Sequence, residues 1–370
     1  MPEPLRVFVC VPWSQRLGGA EQMLWLAVTR GDRTRVRYSV ACLEPGPFEH
    51  ELRGSGVTTY AVPCGRLRDA RATGRTIRAL RTLIAAEQPD LVLNWHPKAQ
   101  LYGAPAAAGA RRGDRIVWWQ HGVPESHWMD RLATALPSRA VGCSSGLAAR
   151  AQGALRPHRR TFVVHPGVRT ERVEPVGLGI PAGRRVIGIV GRLQPWKGQH
   201  RFLRALRRLL DDGHDVHGLI VGGTAHGFSA GFADELEALA GELGVRDRVT
   251  MTGQVDDARP YIGAMDVMVS ASDVEPFGIV VLEAMAQGVP VVATASGGPL
   301  EIIDPEVDGL LVDRPEPAPL AAAVARLLGD APLRARIAAA GRRLAVERFD
   351  AAAMTRALED ELHALTAEAH

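Results

Sequence analysis

Lysine is almost absent from this chain: its 370 residues hold 42 arginines and only two lysines, Lys98 and Lys197. The bias fits a GC-rich genome, and it draws attention to each remaining lysine; at Lys197 it points to a need for a compact, flexible ammonium. Cysteine is also scarce. Cys10, Cys42, Cys64 and Cys143 lie 32, 22 and 79 residues apart. Those gaps exclude a paired metal knuckle and a dense disulfide framework, so reduced thiols of a cytoplasmic protein are expected. No apolar run approaches the roughly 18 residues of a membrane span, and there is no internal repeat, low-complexity tract or coiled coil. The start of the chain is apolar only from Leu5 to Val11, with Arg6 inside the run. It lacks the basic region and cleavage site of a secretory leader and reads as a first β-strand.

What is present is an ordinary globular composition, 46% apolar and 23% charged, in a chain too long for one core and about right for two. The net charge of +3 conceals a split. Residues 1–180 carry 25 Lys+Arg against 14 Asp+Glu, whereas residues 181–370 carry 19 against 27, so the halves should face different partners. Both halves alternate β-branched runs with longer helical patterns, the βαβ signature of a parallel sheet. Strands are expected near 5–12, 36–43, 57–62, 90–94, 115–119, 139–143 and 161–165, and again near 185–191, 216–222, 248–252, 267–271, 290–294 and 309–312. Helices are expected near 20–30, 70–87, 98–110 and 145–153, then near 198–211, 231–243, 278–287, 317–329, 331–347 and 350–368.

Between the halves, Gly167 to Gly183 holds four glycines and two prolines without periodicity and reads as a linker. The expected organisation is a first Rossmann-like domain over 1–170, a second over 171–350, and a last helix over 351–370 packing back toward the first. Two doubly wound sheets of this kind should face a cleft at the carboxyl ends of their strands.

The strongest local signal is Ser272-Asp-Val-Glu-Pro-Phe-Gly-Ile-Val-Val-Leu-Glu-Ala-Met-Ala-Gln-Gly288. A strand ends near Ala271, a turn follows, and a helix begins near Gly278. Backbone N–H groups at such a helix start, around Phe277, Gly278 and Ile279, favour an anion such as a pyrophosphate. Glu275 lies in the loop before the helix and Glu283 on it; either can accept hydrogen bonds from a polyol. Alone, each is equally compatible with an ordinary helix charge, but Glu283 sits among Val280, Val281, Leu282, Ala284, Met285 and Ala286, where a carboxylate needs a partner. Arg192 and Lys197 flank the strand-to-helix turn that opens the second half. There, a guanidinium and an ammonium would stabilise a departing diphosphate without a metal. Gly18-Gly19, between the first strand and an amphipathic helix, would let backbone approach a phosphate.

Together these stretches resemble family 4 of the retaining GT-B glycosyltransferases. Glu275-Pro-Phe-Gly through Glu283 is similar to its E-x7-E motif, and the resemblance implies that Glu275 contacts the donor sugar and Glu283 the ribose. Gly191-Arg-Leu-Gln-Pro-Trp-Lys-Gly198 resembles the signature in which Arg192 and Lys197 would clamp the diphosphate. Gly18-Gly19-Ala20-Glu21 resembles the N-terminal glycine loop. Ser296-Gly-Gly298 and Asp308-Gly309-Leu-Leu-Val312 are also similar to family stretches. The likeness runs in order from residue 5 to about 350, with one departure at Pro299-Leu300-Glu301. It implies that His121, in Trp118-Trp-Gln-His-Gly122, lies near the donor sugar and orients it, through its backbone carbonyl in preference to general-base chemistry. The base would lie near Met251-Thr-Gly-Gln254, at Gly253, where backbone groups read it and residue types do not separate uridine from guanosine.

The function expected is therefore retaining transfer of a hexose from a nucleotide-sugar, UDP-sugar favoured over GDP-sugar, with no cofactor, no metal and no nucleic-acid partner. The acceptor would be a small molecule or glycan: a sugar, cyclitol or natural product. Six of seven tryptophans (Trp13, Trp25, Trp95, Trp118, Trp119, Trp128) lie in the first half, with His96, His121 and His127 near several of them; they are either stacking faces for a ring or core aromatics. Arg68, Arg71, Arg75 and Arg78 recur at steps of three and four, the pattern of one helix face. Such a face is merely solvated, or a peripheral contact with the inner membrane surface that would suit a lipid-linked acceptor, or a site for a phosphorylated acceptor. Rival readings are a nucleotide-sugar epimerase, which needs no acceptor pocket, and a non-catalytic nucleotide-sugar-binding subunit, which the intact set Arg192, Lys197, Glu275 and Glu283 argues against.

Overall fold

The computed structural model describes residues 3–16, 18–124, 128–224 and 231–367. His127 lies outside them. The chain forms two compact units: residues up to Gly167 together with the chain from Ala351 onward, and Val168–Asp350.

The first unit is built on seven parallel strands: β1 (Leu5–Val11), β2 (Val36–Cys42), β3 (Thr58–Ala61), β4 (Leu91–Asn94), β5 (Ile116–Gln120), β6 (Ala140–Cys143) and β7 (Arg160–Val163), in spatial order β3-β2-β1-β4-β5-β6-β7. Helices α1 (Gly19–Arg30), α2 (Pro47–Gly54), α3 (Ala70–Glu87), α4 (Pro97–Gly109), α5 (Trp128–Ala135) and α6 (Gly146–Leu155) lie between them. Strands such as β4, LVLN, are buried along their whole length, because helices cover both faces of a parallel sheet and leave no side for polar alternation.

The second unit repeats the plan with β8 (Arg185–Val190), α7 (Gln199–Asp211), β9 (Val216–Val221), α8 (Phe232–Glu242), β10 (Val249–Met251), α9 (Arg259–Gly263), β11 (Val267–Ser270), α10 (Ile279–Gln287), β12 (Val291–Thr294), α11 (Pro299–Ile302), β13 (Leu310–Val312), α12 (Pro317–Gly329) and α13 (Ala331–Arg348). Its sheet order is β10-β9-β8-β11-β12-β13. In each sheet the winding reverses once, between β1 and β4 and between β8 and β11, and ligands of doubly wound folds bind beyond the carboxyl ends of strands at such a point.

The terminal helix α14 (Ala351–Ala367) belongs to the first unit. Met354, Leu358, Leu362 and Leu365 join the core of Met23, Leu24 and Leu26 on α1. Glu359, wholly buried, accepts the Asp32 N–H at 2.9 Å and a 3.2 Å bond from Arg35, which satisfies a carboxylate that burial alone would penalise.

The supposed linker is not a free tether. Val168 bridges to Asp350, the Val173 N–H donates to Gln287 at 3.0 Å, and the Val176 N–H donates to the Pro260 carbonyl at 3.0 Å. Leu178 and Ile180 pack on the core of the second unit. Arg68 is a second correction: it precedes Asp69, whose side chain caps α3 by accepting the Ala72 N–H at 3.0 Å. Only Arg71, Arg75 and Arg78 of the expected face lie on the helix. Among the described residues no helix is long and apolar enough to cross a membrane.

Candidate active site

The reversal point of the second sheet brings three expected residues, Arg192, Lys197 and Glu275, to two adjacent strand ends. After β8 the chain makes a short turn, Pro195–Lys197, before α7; after β11 it runs through Ser272 to Glu275. Lys197 Nζ donates to Glu275 Oε2 at 2.6 Å, and Ser272 Oγ donates to the same oxygen at 2.8 Å. The side chains of Lys197 and Glu275 are 13% and 9% exposed, so the pair is largely withdrawn from water and its geometry is held firmly. The ammonium also lies 4.4 Å from the centroid of the Trp196 ring, a cation–π contact that fixes its direction. Arg192, next in chain to Gly191, makes no ion pair among the described residues; its carbonyl accepts Gln199 Nε2 at 2.9 Å. Its guanidinium is therefore open to an anion.

The loop carrying Glu275 is clamped from behind. Glu275 bridges to Gly297, and the Gly298 N–H donates to the Glu275 carbonyl at 2.8 Å. Gly297 has φ +73°, and a Cβ there would sit 2.0 Å from the Glu275 carbonyl oxygen; at Gly298 a Cβ would sit 1.9 Å from that of Phe277. Only glycine permits this approach. Gly278 (φ +99°) caps α10 without a side-chain hydrogen bond, so the N–H groups around Ile279 retain their capacity for an anion. The Phe277 side chain is 3% exposed, with its ring 6.1 Å from Phe349 in the core, which leaves its backbone, the part expected to face an anion, as the part a ligand can meet.

Glu283 is partly buried on α10 and has no hydrogen-bond partner among the described residues. Burial, reinforced by the Asp257 carboxylate, pushes its carboxyl up to about 7, against the opposing pull of Arg169 and Arg259. Asp257 is itself taken by Arg259, whose Nη2 donates at 2.6 Å. Glu283 is thus an acceptor without a donor, the state expected of a group awaiting a polar ligand. Gly253, exposed and at φ +68°, follows β10 and pairs with Gly222 at the end of β9, whose N–H donates to its carbonyl at 3.1 Å.

In the first unit, Gly18 is extended at the start of α1 with no side-chain cap, Gly19 opens the helix, and Trp95 Nε1 donates to the Ala20 carbonyl at 2.9 Å. His121 follows β5. Its Nε2 is 3.0 Å from the Trp95 carbonyl, so that nitrogen carries the proton, and Nδ1 faces Ser144 Oγ at 3.4 Å. Burial, with His96 nearby, depresses its pKa to about 3. Burial and the two contacts leave the ring neutral and poorly placed to take up a proton. The tryptophans divide. Trp95, Trp118 and Trp119 are wholly buried core aromatics, whereas Trp128 is 54% exposed and Trp13 is partly exposed, with its ring 5.4 Å from that of His96.

Sequence reasoning missed Ser272, Trp196 and the Asp257–Arg259 pair. Ser272 stands three residues before Glu275 and Trp196 directly before Lys197, spacings that could have flagged both; the Asp257–Arg259 pair is brought beside Glu283 by folding alone.

Comparison with known proteins places this geometry. Residues 171–344 match the model of glycosyl transferases group 1 and residues 17–172 that of Glycosyltransferase Family 4. The lipopolysaccharide core biosynthesis glycosyltransferase LpsE of Rhizobium meliloti is 32% identical over 73% of this chain and 74% of its own. A D-inositol 3-phosphate glycosyltransferase of Xylanimonas cellulosilytica is 33% identical over 88% of this chain and 65% of its own. Among solved structures, Anabaena HepE in complex with UDP-glucose superposes with a TM-score of 0.85 at 25% identity, covering 97% of this chain and all of HepE. Two Rossmann-like units, family models that between them match residues 17–344, and a relative 32% identical over 73% of the chain make it a GT-B enzyme of the group 1, family 4 glycosyltransferases.

Proposed function

We propose that the protein is a retaining, metal-independent hexosyltransferase whose second unit binds the donor, a UDP-sugar in preference to a GDP-sugar, and whose first unit binds a polyol acceptor such as a sugar or cyclitol. The observation that carries the donor reading is the Lys197–Glu275 pair beside the uncapped start of α10. A diphosphate draws on Lys197, Arg192 and the N–H groups at Gly278 and Ile279. Glu275, still held by Ser272, then turns its acceptor capacity to sugar hydroxyls while the anomeric carbon gains positive charge. Two fixed cations supply the charge that a metal supplies elsewhere. The leaving phosphate takes the acceptor's proton as the new bond forms on the face it vacates. The preference for uridine is supported by the UDP-glucose bound to HepE, and the polyol acceptor by the inositol phosphate named for the Xylanimonas relative. Gly18, Gly19 and the His121 carbonyl are assigned to the sugar and phosphate, Gly253 to the base and Glu283 to the ribose.

Melting curves with UDP, GDP, ADP and their hexose conjugates, recorded with a chelator, test this reading. Saturation at a hundredfold excess over Kd adds about 2.7 kcal/mol of stability. A clear rise with uridine compounds alone is expected; no rise with any of them would contradict the donor reading.

The Glu283 assignment has its own pH signature. A carboxyl raised in the folded state contributes stability that is whole below its ordinary value of 4.5 and is lost as pH rises through about 7. Glu283→Gln should leave the melting temperature unchanged at low pH and raise it at about pH 8. Ribose hydroxyls donating to the carboxylate favour its charged form, so UDP should bind wild type more tightly as pH rises through 7, and the variant with no such trend.

A further inference from the structure

Lys197 and Arg192 are held by different means. The lysine has Glu275 and the Trp196 ring as side-chain partners. Arg192 makes no ion pair among the described residues, so its guanidinium takes its direction from the backbone beneath it. That backbone is tied at both edges of one peptide. The Leu193 N–H donates to the Gly223 carbonyl beyond β9 at 3.0 Å, and the Arg192 carbonyl accepts Gln199 Nε2 at 2.9 Å. In a trans peptide these two groups point opposite ways. Bonds from opposite sides therefore stop the plane from turning and set the ψ of Arg192. On the other side of Arg192, the Gly191 N–H donates to the Val221 carbonyl at 2.9 Å.

Gln199, the first residue of α7, is braced on the exit of β11. Gly198 before it has φ +80°, and a Cβ there would sit 2.2 Å from the Ala271 carbonyl oxygen. Arg201 after it pairs with Asp273 at 2.7 Å, and the Asp273 N–H donates to the Trp196 carbonyl at 2.8 Å. The bond from Gln199 thus ties Arg192 to the loop that carries Glu275. Stability alone does not explain a glutamine at this position. The residue is 1% exposed, and a carbonyl can only accept, so the amide turns its nitrogen to Arg192 and its oxygen away. Oε1 is buried there with no partner among the described residues. An orphaned buried acceptor costs at least as much as one neutral hydrogen bond returns. A leucine or methionine would fill the space at lower cost. Such a broken local rule at the edge of a site points to function as its reason.

We infer that Gln199 is a positioning residue for Arg192: by locking the Arg192–Leu193 peptide it aims the guanidinium at the donor diphosphate, a role that rests on the donor reading above. A long side chain turns a small rotation of its backbone into a large displacement of its charged end. Arg192 without the lock must be gathered by the ligand at an entropic cost, and UDP affinity falls. Gln199 then matters to binding only while Arg192 is present.

The test is a double-mutant cycle on UDP affinity, measured by calorimetric titration of the full chain as wild type, Gln199→Met, Arg192→Ala and the two together. Methionine keeps the length and bulk of glutamine and removes the donor; Gln199→Leu is the second variant should methionine pack poorly. Arg192→Ala should weaken UDP at least about tenfold. Gln199→Met should weaken it about five- to tenfold, with a melting curve without UDP close to that of the wild type. In the Arg192→Ala background the same substitution should change affinity less than about twofold. Wild-type affinity in both Gln199 variants, or an equal loss in both backgrounds, would overturn the role of Gln199. The donor reading would still stand in that case, because Arg192→Ala alone would weaken UDP. Absence of UDP binding by the wild type, or wild-type affinity in Arg192→Ala, would overturn both.

Discussion

Lys197→Ala is expected to lower transfer by about 100- to 1000-fold and to lower the melting temperature as well. The kinetic loss follows from removing one fixed positive group from the point where the leaving diphosphate gains charge, an effect of the size measured when a single preorganised donor is deleted. The stability loss has a different origin. Glu275 is 7% exposed and would keep Ser272 as its only side-chain donor among the described residues, and breaking one side of a buried pair costs about 3 kcal/mol. The two effects separate in the double variant Lys197→Ala/Glu275→Gln. A neutral amide no longer needs the ammonium, so most of the melting temperature should return while activity stays lost. Recovery of activity with stability would mean that the pair is structural only, and the donor assignment would then fail.

Gly297→Ala carries the second large effect, though no ligand need touch residue 297. A left-handed φ costs an L-residue about 1–2 kcal/mol, and the new methyl would lie 2.0 Å from the Glu275 carbonyl oxygen, inside backbone that cannot rotate away. The loop must shift by about an ångström, and misplacement of that size at a reacting centre costs about 100-fold in rate. Steady-state kinetics with the preferred donor should show a fall in kcat larger than any rise in KM, with a melting point several degrees lower. Wild-type kinetics in this variant would show that the clamp on Glu275 does not matter.

Much of this could be seen before the structure. Alternation of β-branched runs with amphipathic segments located every strand of both sheets to within a residue or two, because buried parallel strands have no other composition to adopt. Arg192, Lys197 and Glu275 lie, as expected, in the turns that follow strands β8 and β11, and Glu283 lies on the helix after them. The misses share a cause. Helices α2, α5, α9 and α11 run from four to eight residues, too short for a 3.6-residue period to show itself. The stretch from Gly167 to Gly183 has a linker's composition, yet it is pinned through Gln287 and Pro260, groups about a hundred residues away in sequence.

The tryptophans were ambiguous for a related reason. A strand-end indole looks the same in sequence whether it faces solvent or, like Trp119 stacked 4.6 Å from Trp95, the core. Charge state was equally hidden. The sequence marks Glu283 as a carboxylate in need of a partner but does not show that Asp257, Arg169 and Arg259 lie beside it, and it does not show that both His121 nitrogens are engaged.

Calorimetric titration of UDP into wild type and Lys197→Ala, with a chelator present, tests the central claim most directly. The account predicts measurable binding by the wild type and at least about tenfold weaker binding by the variant, the loss of one charge-assisted contact to a phosphate. Equal affinities in the two proteins would mean that the diphosphate does not meet Lys197, and the donor site would have to be sought elsewhere.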